Sequence, residues 1–220
     1  MNGDVFVDRR EAGGRLADAL SDLADDDVVV LAIPRGGVVV AAAVAERLHA
    51  PLDVVIPRKI GAPGNPELGL GAVAEGVEVL DERLVRTLAV DEEYLRREIA
   101  AQQDEIRRRS ETYRRGRPRV DVAGKTAVVV DDGIATGGTA TAAVRWARHH
   151  GADKVILAVP VAPSDAVERL RGEASDVRAL ATPEPFYAVG QWYREFPQIS
   201  DAEVIELLDA YRPRRSDGEG

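Results

Sequence analysis

Residues 128–144 read VVVDDGIATGGTATAAV. Three consecutive valines running into two carboxylates describe a short strand buried on both faces that surfaces at Asp131 and Asp132. The loop after it carries Gly133, Gly137 and Gly138, and an alanine-rich helix follows from about Ala140 to His150. Main-chain N–H groups of such a loop and helix start converge on one point and favour an anion there. Gly137 and Gly138 permit close backbone approach and positive φ, while the hydroxyls of Thr136 and Thr139 can donate to phosphate oxygens. No lysine follows the glycine pair, so this is not the GxxxxGK[ST] loop of nucleoside triphosphatases, and the GxGxxG spacing of dinucleotide sites is absent. Two acids directly before a phosphate cradle suit a sugar phosphate, with hydroxyls meeting the carboxylates and phosphate meeting the loop. An unpaired acidic pair at a buried strand end is costly unless a ligand or metal offsets it.

Outward from this stretch the chain alternates strands and helices. Leu16, Ala19, Leu20 and Leu23 recur at helical spacing before an acidic exit, and Val28–Ile33 is a β-branched run stopped by Pro34. PRGG at 34–37 then leads into a buried helix from about Val38 to Leu48, a second apolar run at Leu52–Ile56, and RKIGAPGNPELGLG at 58–71. That last stretch is too long and irregular for a tight turn and reads as a functional loop. Val73–Leu80 is expected to be extended, and Asp91–Arg115 to be a charged helix with Tyr94, Leu95, Ile99 and Ile106 as its apolar stripe. Its arginines interleave with Asp104, Glu105 and Glu111 at pairing distances, which describes a solvated face rather than a phosphate-binding one. Strands at Thr126–Val130, Lys154–Val159 and Val177–Ala181, with a helix at Asp165–Arg171, complete an α/β pattern: a central parallel sheet with helices on both faces. Residues 1–212 are expected to form one domain, and 213–220 a disordered tail.

Composition narrows the function. With 29 basic and 38 acidic residues the net charge is −9, so no basic surplus exists for nucleic-acid phosphates. Cysteine is absent, which removes disulfides, thiol nucleophiles and thiolate metal sites. The polar start MNGDVFVDRREAGG and the lack of a long apolar run lead us to expect a cytoplasmic chain without a membrane span. His49, His149 and His150 have no metal-ligand spacing and read as helix-surface residues.

AVVVDDGIATGGTA at 127–140 resembles the phosphoribosyl-pyrophosphate (PRPP) binding motif of the type I phosphoribosyltransferases, and the likeness extends over nearly the whole chain. The resemblance implies that family's fold, with a helical insertion at about 81–118 and a small C-terminal hood at about 183–200. It implies that Asp131 and Asp132 hold the ribose diol, directly or through Mg²⁺ and its waters. Gly133 and the backbone from Ala135 through Thr136, Gly137, Gly138 and Thr139 would bind the 5′-phosphate. Arg35, Gly36 and Gly37 would form the pyrophosphate loop, and Arg58 and Lys59 would open a mobile catalytic loop. The implied reaction is Mg²⁺-dependent transfer of 5-phosphoribosyl from PRPP to a small nitrogen acceptor, a nucleobase or related compound, with pyrophosphate released. The family also allows a homodimer.

Alternatives stay open at several residues. Ala135 stands where hypoxanthine-guanine members carry an acid, and ATGGT is worded more like adenine and uracil members. Glu75 stands at a distance from Arg58-Lys59 similar to that of a glutamate in the adenine enzymes and would touch the acceptor; it also reads as a solvated residue at a bend before Gly76. Trp192 and Tyr193 are either hood residues toward the acceptor or packing residues. Arg58-Lys59 by itself reads as a solvated pair, and its place at the head of the glycine- and proline-rich stretch is what marks it. A non-catalytic PRPP or nucleotide sensor is the second functional reading, and retention of Arg58-Lys59 and PRGG, which serve the leaving group, favours the enzyme.

Overall fold

The structure is a computed structural model that describes residues 6–211, and the tail expected to be disordered at 213–220 lies outside them. The chain opens with α1 (Arg9–Ala19) and a 3₁₀ turn at Ser21–Leu23, then passes through β1 (Val28–Ala32), α2 (Gly36–Leu48) and β2 (Leu52–Val54). An antiparallel run follows, β3 (Arg58–Ala62), β4 (Asn65–Ala74) and β5 (Val77–Leu80), and then two helices, α3 (Glu82–Thr87) and α4 (Glu92–Arg114). The second half is β6 (Thr126–Val130), α5 (Gly138–His149), β7 (Lys154–Val161), α6 (Ser164–Arg171), β8 (Asp176–Ala181) and α7 (Asp201–Ala210).

Five strands pair in parallel in the order β2-β1-β6-β7-β8. Strand periodicity divides their side chains between two cores. Val28 and Val30 face α1, α2 and α7, with Leu16, Val44 and Val204, whereas Val29 and Leu31 face α5 and α6, with Val144, Trp146 and Val167. Both faces are covered, which is why β1 is buried at every position. The neighbours β1 and β6 send their helices to opposite faces and their following strands to opposite edges. The order therefore reverses between them, and a crevice opens beyond their C-terminal ends. The segments that emerge there are 33–37 and 131–137.

The stretch RKIGAPGNPELGLG, expected to be an irregular loop, is instead most of a β-hairpin. β3 and β4 pair from Arg58↔Val73 to Ala62↔Asn65, with register shifts on both sides of Gly61 and a turn through Gly64 at φ 72°. Glycine and proline dilute the alternation that would have marked these strands, yet they are what lets the two backbones approach. A Cβ on Gly61 would stand 2.8 Å from Pro66 Cα. The meander lies along α5, with Ala72, Ala74 and Val77 in the α5 core and Ile60, Leu70 and Val73 in the other.

The charged helix α4 is as expected a solvated face over a narrow stripe, capped by Asp91 and buried at Leu95, Ile106, Tyr113 and Arg114. Arg114 is bound at the inner end: its Nε donates to Asp53 at 3.0 Å and its Nη2 to the Val54 carbonyl at 2.8 Å, while Asp53 also accepts from the Val120 amide at 2.9 Å. Those additional hydrogen bonds offset the desolvation of a buried ion pair. Two helices were not read individually, α3, which falls within the expected helical insertion, and α7. The second carried a legible signal, because Ser200 accepts from the Glu203 amide at 3.2 Å and Glu203 accepts from the Ser200 amide at 2.8 Å. This S-x-x-E pattern is a capping box. Ser200→Ala is expected to cost about 1 kcal/mol, read in thermal melts as a fall of about 2–4 °C.

Candidate functional site

At the crevice the two sequence motifs are in contact. Asp131 and Asp132 follow β6, and the helix start Gly36-Gly37 follows β1 across a cis Pro34–Arg35 peptide. A Cβ on Gly36 would stand 1.9 Å from Asp132 Oδ2, and one on Gly37 2.9 Å from Asp131 Cα and 3.0 Å from the Val130 carbonyl. The glycine pair is thus the surface against which the acidic pair packs. Arg35, half-exposed, lies with Nη1 3.7 Å from Asp201 Oδ1, and Asp201 also accepts the Tyr113 hydroxyl at 2.8 Å.

The acids have different surroundings. Asp131 Oδ1 accepts the Asp132 amide at 2.8 Å. Burial first, and the adjacent Asp132 carboxylate second, push the Asp131 carboxyl above the usual carboxylate range. Asp132 Oδ2 accepts from Arg9 Nε at 2.7 Å, and the Asp132 carbonyl accepts the Tyr193 hydroxyl at 2.5 Å. Among the described residues no cluster of three or more acids or histidines is arranged to hold a metal ion.

Beyond the acids, Ala135 and Thr136 are exposed and Thr139 is half-buried. Gly137 has φ 86° and caps α5, whose first N–H groups have no partner within the helix. The positive φ expected for the glycine pair falls on Gly137 only; Gly138 is the first residue of the helix. Gly133 is a packing glycine, since a Cβ there would stand 2.5 Å from Val189 Cγ1. A cavity of about 450 Å³ opens beside this loop, bounded by Lys59, Gly69, Thr136, Thr139, Arg145 and Arg169.

Three expectations are corrected. Arg58 and Lys59 do not act as a pair, because successive residues of a strand face opposite sides. Lys59 lines the cavity, while Arg58 Nε donates to Gln102 of α4 at 2.9 Å. Glu75 is not in the crevice. It sits at the β4–β5 turn, 3.9 Å from Arg119 and beside a separate groove along α4, with the following Gly76 next to His149 at the far end of α5. The 12 residues of α5 put roughly 17 Å between that end and the phosphate loop. Tyr193 is buried between Phe6 and Phe196, at ring separations of 5.5 and 5.0 Å, so its face is not open to a ligand. Trp192 is half-buried, stacks on Phe186 at 6.1 Å, and leaves its indole N–H without a partner.

Arg9, Phe196 and Asp201 are the site residues that sequence reasoning missed. Nothing local marks Arg9: a charged pair at the start of an amphipathic helix reads as solvent-facing, and its partner is 123 residues away.

The sequence matches the family model of the phosphoribosyl transferase domain over residues 8–181. It is 52% identical over 206 residues to a protein of Mycobacterium tuberculosis (strain H37Rv) provisionally named a phosphoribosyl transferase, covering 93% of this chain and 46% of that protein. The chain therefore spans about half the length of the curated relatives it matches. A 90-residue match at 39% identity links it to a ribose-phosphate pyrophosphokinase of Prochlorococcus marinus (strain MIT 9313), covering 40% of this chain and 26% of that one. The crystal structure of TT1426 from Thermus thermophilus superposes with a TM-score of 0.81 at 48% identity, covering 95% of this chain and all of that one. Among the described residues no helix is long and apolar enough to cross a membrane.

Proposed function

The chain belongs to the phosphoribosyl transferase domain family, and from that premise we propose that it transfers the 5-phosphoribosyl group of PRPP to a small nitrogen acceptor with release of pyrophosphate. The observation that carries this reading is the contact between the two motifs. One crevice at the reversal of the strand order combines acids for a ribose diol, free helix N–H groups for a 5′-phosphate and a glycine turn for a diphosphate.

In the reaction the bond from the anomeric carbon to pyrophosphate breaks and its electron pair leaves with the diphosphate. The acceptor nitrogen supplies the pair for the new bond and releases its proton to water. Asp131 accepts hydrogen bonds from the ribose hydroxyls and favours positive charge developing on the ring. Amides at the start of α5 and the Thr136 and Thr139 hydroxyls hold the 5′-phosphate, while Arg35 and the Gly36-Gly37 turn receive the departing diphosphate. Lys59 lines the cavity of the 5′-phosphate loop, and we assign it to the same leaving group through movement of its hairpin during the reaction.

The donor set fits magnesium held jointly by the protein and its substrate. The adjacent carboxylates of Asp131 and Asp132 are hard oxygen donors of the kind magnesium takes, and substrate and water oxygens would complete its shell. When bound, that ion offsets charge on the diphosphate.

Calorimetry with millimolar PRPP and Mg²⁺, followed by pyrophosphate release across purines, pyrimidines and small amines, tests the proposal. Binding with turnover on one acceptor class is the expected result. Binding without turnover on any class favours a PRPP sensor, and no heat or thermal shift overturns the PRPP reading. With Glu75 remote from the crevice, Glu75→Gln is expected to leave turnover on that acceptor and PRPP affinity within about twofold of wild type.

A further inference from the structure

Arg35 immediately precedes the Gly36-Gly37 turn, and its guanidinium is drawn to the start of α7, where Nη1 lies 3.7 Å from Asp201 Oδ1. That separation makes an ion pair but is too long for a hydrogen bond. Among the described residues no hydrogen bond holds the Arg35 side chain, whereas Arg9 and Arg114 donate through Nε to their carboxylates at 2.7 and 3.0 Å. Arg35 is 42% exposed and Asp201 51%, so the pair is loose and its loss costs little.

Asp201 is held far more firmly than the arginine it attracts. Its Oδ1 accepts the hydroxyl of the buried Tyr113 at 2.8 Å. Burial first, and the bond to Asp201 second, push the Tyr113 phenol up to about 12, so this hydroxyl remains a donor at neutral pH. Asp201 is also the first residue of α7, whose start is set by the Ser200–Glu203 capping box and whose leading N–H groups attract a negative side chain. The other cations that feel its charge, Arg108 and Arg109 of α4, both donate to Glu105. A fixed carboxylate thus holds a loosely tethered guanidinium beside the glycine turn. Asp201 lies beyond residue 181, where the match to the family model ends.

Resting on the phosphoribosyl reading, we propose that Asp201 is a positioning residue for the leaving group: it competes with the diphosphate for Arg35, so that Arg35 passes to the diphosphate on binding and returns to Asp201 on release. The competition lowers affinity for the diphosphate and favours its departure. A half-exposed pair suits this task, because a buried and hydrogen-bonded one would keep Arg35 from the diphosphate altogether.

The test uses the full chain and calorimetry with inorganic pyrophosphate and Mg²⁺, with PRPP and ribose 5-phosphate as further probes. Asp201→Asn keeps an oxygen for the Tyr113 hydroxyl but loses the charge, and is expected to bind pyrophosphate about fivefold more tightly than wild type and ribose 5-phosphate equally well. Asp201→Glu retains the charge and should stay within about twofold of wild type toward both. Arg35→Gln should weaken pyrophosphate binding, and in that background Asp201→Asn should gain less than about twofold, because the group Asp201 competes for is gone. No gain or a loss at Asp201→Asn, a parallel change toward ribose 5-phosphate, the same gain at Asp201→Glu, or an undiminished gain in the Arg35→Gln background overturns this inference while the phosphoribosyl reading stands. So does PRPP binding without pyrophosphate binding by wild type and Asp201→Asn. A wild type that binds neither PRPP nor pyrophosphate overturns both.

Discussion

Lys59→Ala is expected to lower turnover by about 10²–10³-fold while PRPP affinity falls less than about threefold. The asymmetry follows from where the lysine stands. Its Cα lies on β3 and its side chain lines the cavity opposite Thr136 and Thr139, on the exposed side of the hairpin. Its ammonium donates to the Glu67 carbonyl of the same hairpin, and a Cβ on Gly69 would stand 2.8 Å from its Cε. The residues of the tip, 63–68, are exposed. A cation held by its own hairpin contributes little to ground-state binding and contributes most when diphosphate charge accumulates. Arg58→Ala separates the two halves of the sequence pair, since Arg58 is bonded to Gln102, and should change turnover less than about threefold. Once an acceptor is known, steady-state kinetics beside PRPP calorimetry decide. Equal losses in affinity and turnover for Lys59→Ala would make the site preformed, and no loss would return Lys59 to the solvated surface.

The parallel sheet and its crevice were legible because their signals are local. A strand covered on both faces must be apolar throughout, as VVVLA and TAVVV are, and a ligand loop at its end must interrupt that run with glycine and acid. The meander was not legible for the opposite reason. In β3 and β4 the residues that would alternate are replaced by Gly61, Gly69 and Gly71, whose value lies in close backbone contact, as at Gly71, where a Cβ would stand 2.1 Å from the Val79 carbonyl. Reading Arg58 and Lys59 as a pair failed with it, because a loop permits two neighbours to act together and a strand does not. Glu75 failed similarly: distance along a supposed loop is not distance in a hairpin that runs the length of α5. The Arg9–Asp132 contact is long-range and could not be read at either end. Its only trace in the sequence is indirect, the pair of glycines at 36 and 37, which a strand-to-helix turn would also explain.

Gly36→Ala is the substitution that tests whether that trace is read correctly. No positive φ is recorded at Gly36, so alanine is admissible for the backbone and would ordinarily favour a helix start over glycine. The obstacle is space. The added methyl would stand 1.9 Å from Asp132 Oδ2, 2.7 Å from its Cγ and 2.8 Å from Arg9 Nε. A flexible carboxylate could swing aside, but this one is held by Arg9, which is itself held by the Pro197 carbonyl and the Phe196 ring. The methyl must therefore move the acidic pair, the α2 start or both, and each carries part of the proposed PRPP site. Overpacking of this kind costs about 1–3 kcal/mol of stability, and PRPP affinity is expected to fall at least about 100-fold, because acid and diphosphate contacts are displaced together. Gly14→Ala provides the control, since a Cβ there meets nothing within 4 Å in a helix interior. It should raise stability by about 0.5–1 kcal/mol and leave binding alone. In an Asp132→Ala background the two shortest contacts are gone and Arg9 loses the carboxylate that holds its Nε in place, so Gly36→Ala should lose most of its cost in denaturant melts. If the cost persists there unchanged, Gly36 is required by the turn and not by Asp132, and the packing of the two motifs would not be what selects glycine.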